Sequence, residues 1–279
     1  MARCLTVGIV AAALAVGPWL GGVSSAASGG SAETPAAPEY LALGDSVTYG
    51  YDPRLAYPTP ESKYIGYPTD VGAALSDTVV NAACSGDTSA AFVSADAPDH
   101  GCHALHAAVM LHVNYHGTQL DFATEFLRSH PSTRLVTIGI GLVDYFGCAS
   151  QTSDHCVGEL PSILDSYRKN LGTIMERIRT IYHGTLVLVN YFTMNYQEPI
   201  DTGGISKLNA VMAQVGQNYG AIVADTFSAF AAGSAAQGGD GCRAGLLIKT
   251  STGCDVHPTA DGRNLMAKTI EAALEKHAP

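Results

Sequence analysis

The chain has 279 residues, 47% of them hydrophobic and only 14% charged, and its formal net charge is −10. That apolar share is enough for a large core and excludes a disordered chain. The negative balance leaves no broad basic face for nucleic acid and no attraction to an anionic membrane surface.

Arg3 supplies a short positive start, Leu5 to Leu20 is almost wholly apolar, and Val23-Ser24-Ser25-Ala26-Ala27 offers small residues for cleavage. This three-part pattern predicts a secretory signal peptide over 1–27 and export of the remainder. The apolar run is short for the roughly 20 residues of a membrane span, and no later segment is long and apolar enough to cross a bilayer. Residues 28–38 are small, polar and proline-containing, a flexible leader, so one folded domain is expected over 39–279.

Within that domain short apolar runs alternate with helical patterns. Tyr40 to Leu43 is the first run and stops at Gly44-Asp45. Tyr64 to Leu75 is a helix candidate that carries Pro68, and Thr78 to Ala82 is the second run, ending near Cys84-Ser85-Gly86. Gln119 to Ser129 is helical in pattern, and Arg134 to Ile138 is the third run, ending at Gly139. Leu160 to Tyr182 spaces Ile163, Leu164, Tyr167, Leu171, Ile174, Ile178 and Ile181 into one apolar stripe, the signature of a helix with one face on a core. Thr185 to Val189 and Ala221 to Ala224 are the last two runs; a helix over Ser206 to Tyr219 lies between them, and Thr259 to His277 closes the chain. Gly203-Gly204 and Gly238-Gly239 read as turns. The five runs are continuous rather than alternating in hydrophobicity, which suits strands buried on both faces of a parallel sheet. Strand and helix in turn predict a doubly wound, three-layer α/β fold. Its ligands bind beyond the carboxyl ends of the strands, which makes the loops starting at Gly44, Cys84, Gly139 and Tyr191 the expected walls of a site.

Without residues 1–27, which hold Cys4, six cysteines remain: Cys84, Cys102, Cys148, Cys156, Cys242 and Cys254. An even count in an exported chain predicts three disulfides. The sequence does not choose among the connectivities; the sequential set 84–102, 148–156 and 242–254 is the expectation, since each pair staples a local loop.

Three segments carry groups that do chemistry. Gly44-Asp45-Ser46 puts a hydroxyl at the end of the first run, and such a hydroxyl is a poor nucleophile until a base removes its proton. Cys254-Asp255-Val256-His257-Pro258-Thr259 puts an imidazole before the last helix, in a loop, with a carboxylate near enough to orient it. Gly86, after the second run, can turn a backbone N–H toward the serine, as stabilisation of a developing oxyanion requires.

In this order the three segments resemble the blocks of the GDSL (SGNH) hydrolase family, from Tyr40 to about Ala273, on the matches Gly44-Asp45-Ser46, Gly86 and His257-Pro258. The resemblance implies a three-layer α/β/α sandwich with a five-stranded, mostly parallel, flavodoxin-like sheet. It implies an esterase or lipase working through an acyl-enzyme, with Ser46 as nucleophile, His257 as general base, and the N–H groups of Ser46 and Gly86 as oxyanion donors. No cofactor or metal is implied, and the substrate would be a small-molecule, lipid or glycan ester.

Two departures stand out. The family's third block is Gly-x-Asn-Asp, whose asparagine donates to the oxyanion; here it reads Gly141-Leu142-Val143-Asp144. Val143 has no donor, a loss that slows such chemistry by about 100- to 1000-fold unless a water or Asn190 substitutes. The family's acid stands three residues before its histidine, where this chain has Cys254; Asp255 is two before, leaving either a triad through Asp255 or a dyad with a main-chain carbonyl. Val143 also motivates a second reading, a non-catalytic glycan- or lipid-binding protein on the same scaffold, and a carbohydrate acetyl esterase is a neighbouring activity. A third reading is a zinc site from His100, His103, His106, His112 and His116, of which 103/106 and 112/116 have the spacing of one helix face; otherwise this segment is a polar insertion at the rim of the site. Tyr49, Tyr51, Tyr57, Tyr64 and Tyr67 form an aromatic stretch that either lines a substrate pocket or packs.

Overall fold

The apolar runs of the sequence become the strands of one sheet. The structure is a computed structural model describing residues 39–55, 59–108 and 110–278; the signal peptide and leader expected over 1–38, and Tyr57, lie outside the described residues. In chain order the elements are β1 (Glu39–Gly44), α1 (Ser46–Tyr49), α2 (Tyr67–Leu75), β2 (Thr78–Asn81), α3 (Cys102–Ala107), α4 (Gln119–Ser129), β3 (Leu135–Gly139) and α5 (Leu142–Gln151). They continue as α6 (Leu160–Arg179), β4 (Thr185–Val189), α7 (Pro199–Asn218), β5 (Ile222–Ala224), α8 (Thr226–Ser234), β6 (Leu247–Thr250), β7 (Gly253–Pro258) and α9 (Ala260–Lys276).

β1 to β5 form a five-stranded sheet in the order β2-β1-β3-β4-β5, every pair parallel. Because every neighbour is parallel, each connection must cross over a face of the sheet. α2, α8 and α9 pack together as one helical group and α4, α6 and α7 as another, the layers expected when right-handed crossovers run outward from β1 and β3 in opposite directions. The sheet interior is fully dry: Leu41, Leu43, Val136, Ile138, Val187 and Leu188 expose nothing. Tyr40 is equally buried, and its hydroxyl is satisfied by Thr137 Oγ1 at 2.7 Å, as a buried phenol requires.

Helix boundaries depart from the sequence expectation where proline and glycine act locally. α2 starts at Tyr67, which puts Pro68 in the first turn, where its missing N–H costs nothing. α6 stops at Arg179, short of Tyr182. α7 starts at Pro199, so Gly203-Gly204 is helix, not turn. The reason at Gly204 is packing, since a Cβ there would sit 2.4 Å from the Tyr145 ring of α5. α1, α3, α5 and α8, and the antiparallel hairpin β6–β7, were not anticipated from periodicity, and His257 lies in β7 rather than in a loop.

All three expected disulfides are formed, Cys84–Cys102, Cys148–Cys156 and Cys242–Cys254, with Cα separations of 5.4, 5.4 and 5.7 Å. Among the described residues no helix is long and apolar enough to cross a membrane.

The chain leaves β1 through Gly44, whose φ is +148°. A Cβ at Gly44 would lie 2.1 Å from the Gly139 carbonyl oxygen of β3, so the position suffers both backbone strain and a backbone clash on substitution. Gly44→Ala is expected to lower stability by about 3 kcal/mol or more; urea unfolding of the variant beside wild type measures it.

Candidate active site

Ser46 opens α1, a single turn held at both ends. The Asp45 side chain accepts from the Val47 N–H at 3.0 Å, and Gly50 closes the turn in the left-handed region. The turn sits at the carboxyl edge of β1, with Asp45 N–H donating to the Gly139 carbonyl at 3.0 Å. This fixes the Ser46 hydroxyl above the middle of the sheet.

His257 reaches the same place from the opposite end of the chain. Its Nε2 lies 2.9 Å from Ser46 Oγ, and its Nδ1 lies 2.5 Å from Asp255 Oδ1. The same carboxylate oxygen accepts the backbone N–H of His257 at 3.0 Å. The two-residue spacing is explained by β7: in a strand, residues i and i+2 project from one face, so the carboxylate two before the histidine stands beside its ring. With Nδ1–H donating to Asp255, Nε2 is left to accept from the Ser46 hydroxyl. Burial would raise the Asp255 carboxyl, but the hydrogen bond and charge of the His257 ring and the His257 N–H together hold it below its ordinary value, so it is ionised at neutral pH. The arrangement can take the serine's proton and return it elsewhere.

Around these groups is a cavity of about 480 Å³, whose walls include Gly86, His100, Val143 and Phe146. Gly86 has a φ of +83°. Among the described residues nothing accepts from the N–H of Ser46 or Gly86, so both are available to an oxyanion. Val143 stands in the first turn of α5, on the cavity wall, and offers it only methyl groups. Asn190 does not substitute for the missing donor. Its Nδ2 donates to Asp225 at 2.9 Å and its Oδ1 accepts from the Phe227 N–H at 3.0 Å, so the amide is directed at the start of α8, and Asn190 is not among the residues that line the cavity.

The tyrosine stretch divides by role. Tyr49, Tyr64 and Tyr67 are buried and pack, whereas Tyr51 lines the cavity, with its ring 4.9 Å from His257 and stacked on Tyr64 at 6.0 Å. The histidines divide into two sets: His103, His106 and His116 line one cavity of about 540 Å³, while His100 and His112 lie elsewhere. His100 lines the cavity beside Ser46 and His257, His112 Nε2 meets the Tyr49 carbonyl at 2.9 Å, His103 pairs with Asp99 at 3.3 Å, and His106 packs edge-on against Tyr115. Among the described residues, the places where three ligand-type atoms gather, at Cys84, Cys102 and His106 and at Cys148, Cys156 and Glu159, each contain two sulfurs already joined as a disulfide. Among the described residues, no three histidines of the run bring their ring nitrogens together as ligands.

One residue of the site escaped sequence reasoning. Asp45 is fully buried under Ser46, with Oδ2 accepting from the Tyr191 hydroxyl at 2.5 Å. Burial pushes its carboxyl up from 3.8 to about 7, against the Tyr191 and Val47 hydrogen bonds that pull it down. In the sequence it stands only as the middle residue of Gly44-Asp45-Ser46, and nothing there marks its burial.

The family model of the GDSL-like Lipase/Acylhydrolase family matches residues 42–265. Among solved structures the chain resembles phospholipase A1 from Streptomyces albidoflavus NA297, with 20% identity, 87% of this chain and 100% of that chain covered, and a TM-score of 0.58. It resembles a lipase from a goat rumen metagenome with 18% identity, 85% and 97% coverage and a TM-score of 0.53. The acetylxylan esterase Axe2 from Geobacillus stearothermophilus matches with 19% identity, 86% and 94% coverage and a TM-score of 0.52. At these identities the likeness is one of fold. No curated protein matches the chain.

The raised Asp45 carboxyl has a consequence for stability. Between 3.8 and about 7 the folded chain holds a proton there that the unfolded chain has released, so stability falls as pH rises through that window. Asp45→Asn should give a shallower fall across the same interval, read from urea unfolding at a series of pH values; an unchanged slope would mean Asp45 ionises normally in the fold.

Proposed function

Because the chain belongs to the GDSL-like lipase/acylhydrolase family, we propose that it is a secreted carboxylic-ester hydrolase that works through an acyl-enzyme on Ser46. The observation that carries this reading is the relay Asp255–His257–Ser46, closed at 2.5 and 2.9 Å between residues 211 apart in sequence.

His257 Nε2 takes the hydroxyl proton as Ser46 Oγ attacks the ester carbonyl carbon. The carbonyl electrons move to oxygen, where the N–H groups of Ser46 and Gly86 meet the developing charge. Asp255 holds the ring in the tautomer that can accept and stabilises the imidazolium that forms. Collapse of the intermediate breaks the bond to the leaving alkoxide, which receives the proton from His257 Nε2 as alcohol. A water then repeats the sequence on the acyl-enzyme, with His257 as its base, and frees the carboxylic acid and Ser46.

Leu105, Leu142, Val143, Phe146 and Val256 make much of the cavity wall apolar, which favours an acyl chain over a charged group. Export is supported by the leader pattern over 1–27 and by three disulfides, which persist in oxidising compartments. Val143 is the observation that favours the second reading, a binding protein that has kept the scaffold and lost the reaction.

p-Nitrophenyl acetate, butyrate and longer esters should be cleaved by wild type, and Ser46→Ala and His257→Ala should each lower kcat by at least about 1000-fold. Equal rates in all three proteins would remove the hydrolase reading. A fluorophosphonate should label Ser46 in the folded wild type; no labelling would favour the binding protein.

A further inference from the structure

We propose that His100 supplies the oxyanion donor that position 143 lacks, an imidazole N–H standing in for a carboxamide. This rests on the acyl-enzyme reading above and adds a catalytic residue to it.

The argument starts from the face of α5. Val143 and Gly147 are one helical turn apart and both line the catalytic cavity, as i and i+4 must when they share a face. A glycine inside a helix destabilises it relative to alanine. At Gly147 the space of the absent side chain is filled by His100, since a Cβ there would lie 2.5 Å from Nε2 and 2.9 Å from Cε1 of its ring. The apolar residue at the donor position is thus followed, one turn on, by a vacancy that admits an imidazole from another loop.

That imidazole is tied to the backbone that carries the other donor. His100 N–H donates to the Gly86 carbonyl at 2.8 Å, and a Cβ on Gly86 would meet the His100 carbonyl oxygen at 2.3 Å. Two residues outside each of them, Cys84 and Cys102 close the pinch as a disulfide. Asp144, next to Val143, accepts from Ser89 N–H at 2.8 Å and Ser89 Oγ at 2.5 Å, which fastens the same loop to α5. A donor held this way needs no reorganisation as charge develops, the condition under which such a group is worth most.

Other cavity-lining hydroxyls are less suited. Ser150 Oγ donates to the Gly147 carbonyl within α5, and Tyr51 is stacked on Tyr64 and set against His257. Ser85 is the remaining competitor. A purely structural role for His100 also has a clear form: with Val143 and Gly147 it walls off a second cavity of about 510 Å³, and loss of the ring would then change which esters fit and leave turnover of short ones alone.

The test measures kcat and KM on p-nitrophenyl butyrate for wild type, Ser46→Ala, Ser85→Ala, His100→Ala, Gly147→Ala and the double variant His100→Ala/Val143→Asn. His100→Ala should lower kcat by about 100- to 1000-fold with KM changed only a few-fold. Gly147→Ala keeps the imidazole and favours the helix, yet its Cβ displaces the ring, so its kcat should fall in the same direction; it carries the test if His100→Ala does not fold. Restoring a carboxamide at 143 in the double variant should recover at least about tenfold of the loss. The proposal is overturned if His100→Ala or Gly147→Ala keeps kcat within about threefold and shifts only chain-length preference, if Ser85→Ala alone carries the loss, or if the double variant recovers nothing. Should these happen while Ser46→Ala is inactive, only the role of His100 falls; activity in Ser46→Ala would take the acyl-enzyme reading down as well.

Discussion

A hydroxyl at the start of the domain touching an imidazole near its end, at 2.9 Å, sets the tolerance for everything else in this molecule. Neither residue can be placed by its own neighbours alone. Ser46 is fixed by the edge of β1, where Gly44 and Gly139 sit side by side in register. His257 is fixed by the hairpin β6–β7, whose pairing of Leu247 with Pro258 and whose disulfide Cys242–Cys254 hold the strand from both ends. The Thr259 N–H donates to the Leu246 carbonyl at 2.9 Å, and its side chain caps α9, so the hairpin is anchored on the last helix. An error of an ångström in any of these would cost the proton-transfer geometry.

Beneath that contact lies an unusual concentration of buried acid. Asp45, Asp87 and Asp144 influence one another electrostatically, and burial raises the carboxyl of each. Burying such groups is unfavourable unless donors meet them. Here each donor belongs to a different part of the site: Tyr191 and the Val47 N–H meet Asp45, Gln119 meets Asp87 at 2.6 Å, and Ser89 meets Asp144. Gln119 also accepts from the Gly44 N–H and donates to the Gly44 carbonyl, at 2.9 and 2.8 Å. The network therefore joins the end of β1, the Gly86 loop, the start of α4 and the start of α5. Its members limit one another's freedom in the region where the cavity needs rigid walls.

The parts of the fold that could be read in advance are those whose signal is local. Five continuous apolar runs became five parallel strands, and α4 kept the bounds its pattern implied because a Thr118–Asp121 capping box starts it and Pro131 follows. α5 and α8 showed no apolar periodicity from which to read them. α5 has no side-chain cap, and α8 is a run of small and aromatic residues with no stripe. Gly203-Gly204 misled because a glycine pair usually signals a turn, while here the missing side chain at Gly204 serves the packing of Tyr145. In the site, Ser46, Gly86, Asp255 and His257 were identifiable from order and spacing, and the structure places them together. Asn190 was misjudged because the Asp225-Thr226 helix start that claims its amide is remote in sequence. His100 could not be singled out from a run of five histidines, since only the packed chain shows which of them lines the same cavity as Ser46.

The fit of the His100 ring over Gly147 constrains how this sequence can drift. Any side chain gained at 147 evicts the ring, whereas loss of the ring leaves a void that a larger residue at 147 could fill. The two sites are thus epistatic in one direction: a lineage that abandons the imidazole is free to refill the helix afterwards, whereas a side chain gained first at 147 takes the imidazole's place from it. Sequence divergence around this pocket should carry that asymmetry as an ordered history rather than as two independent substitutions.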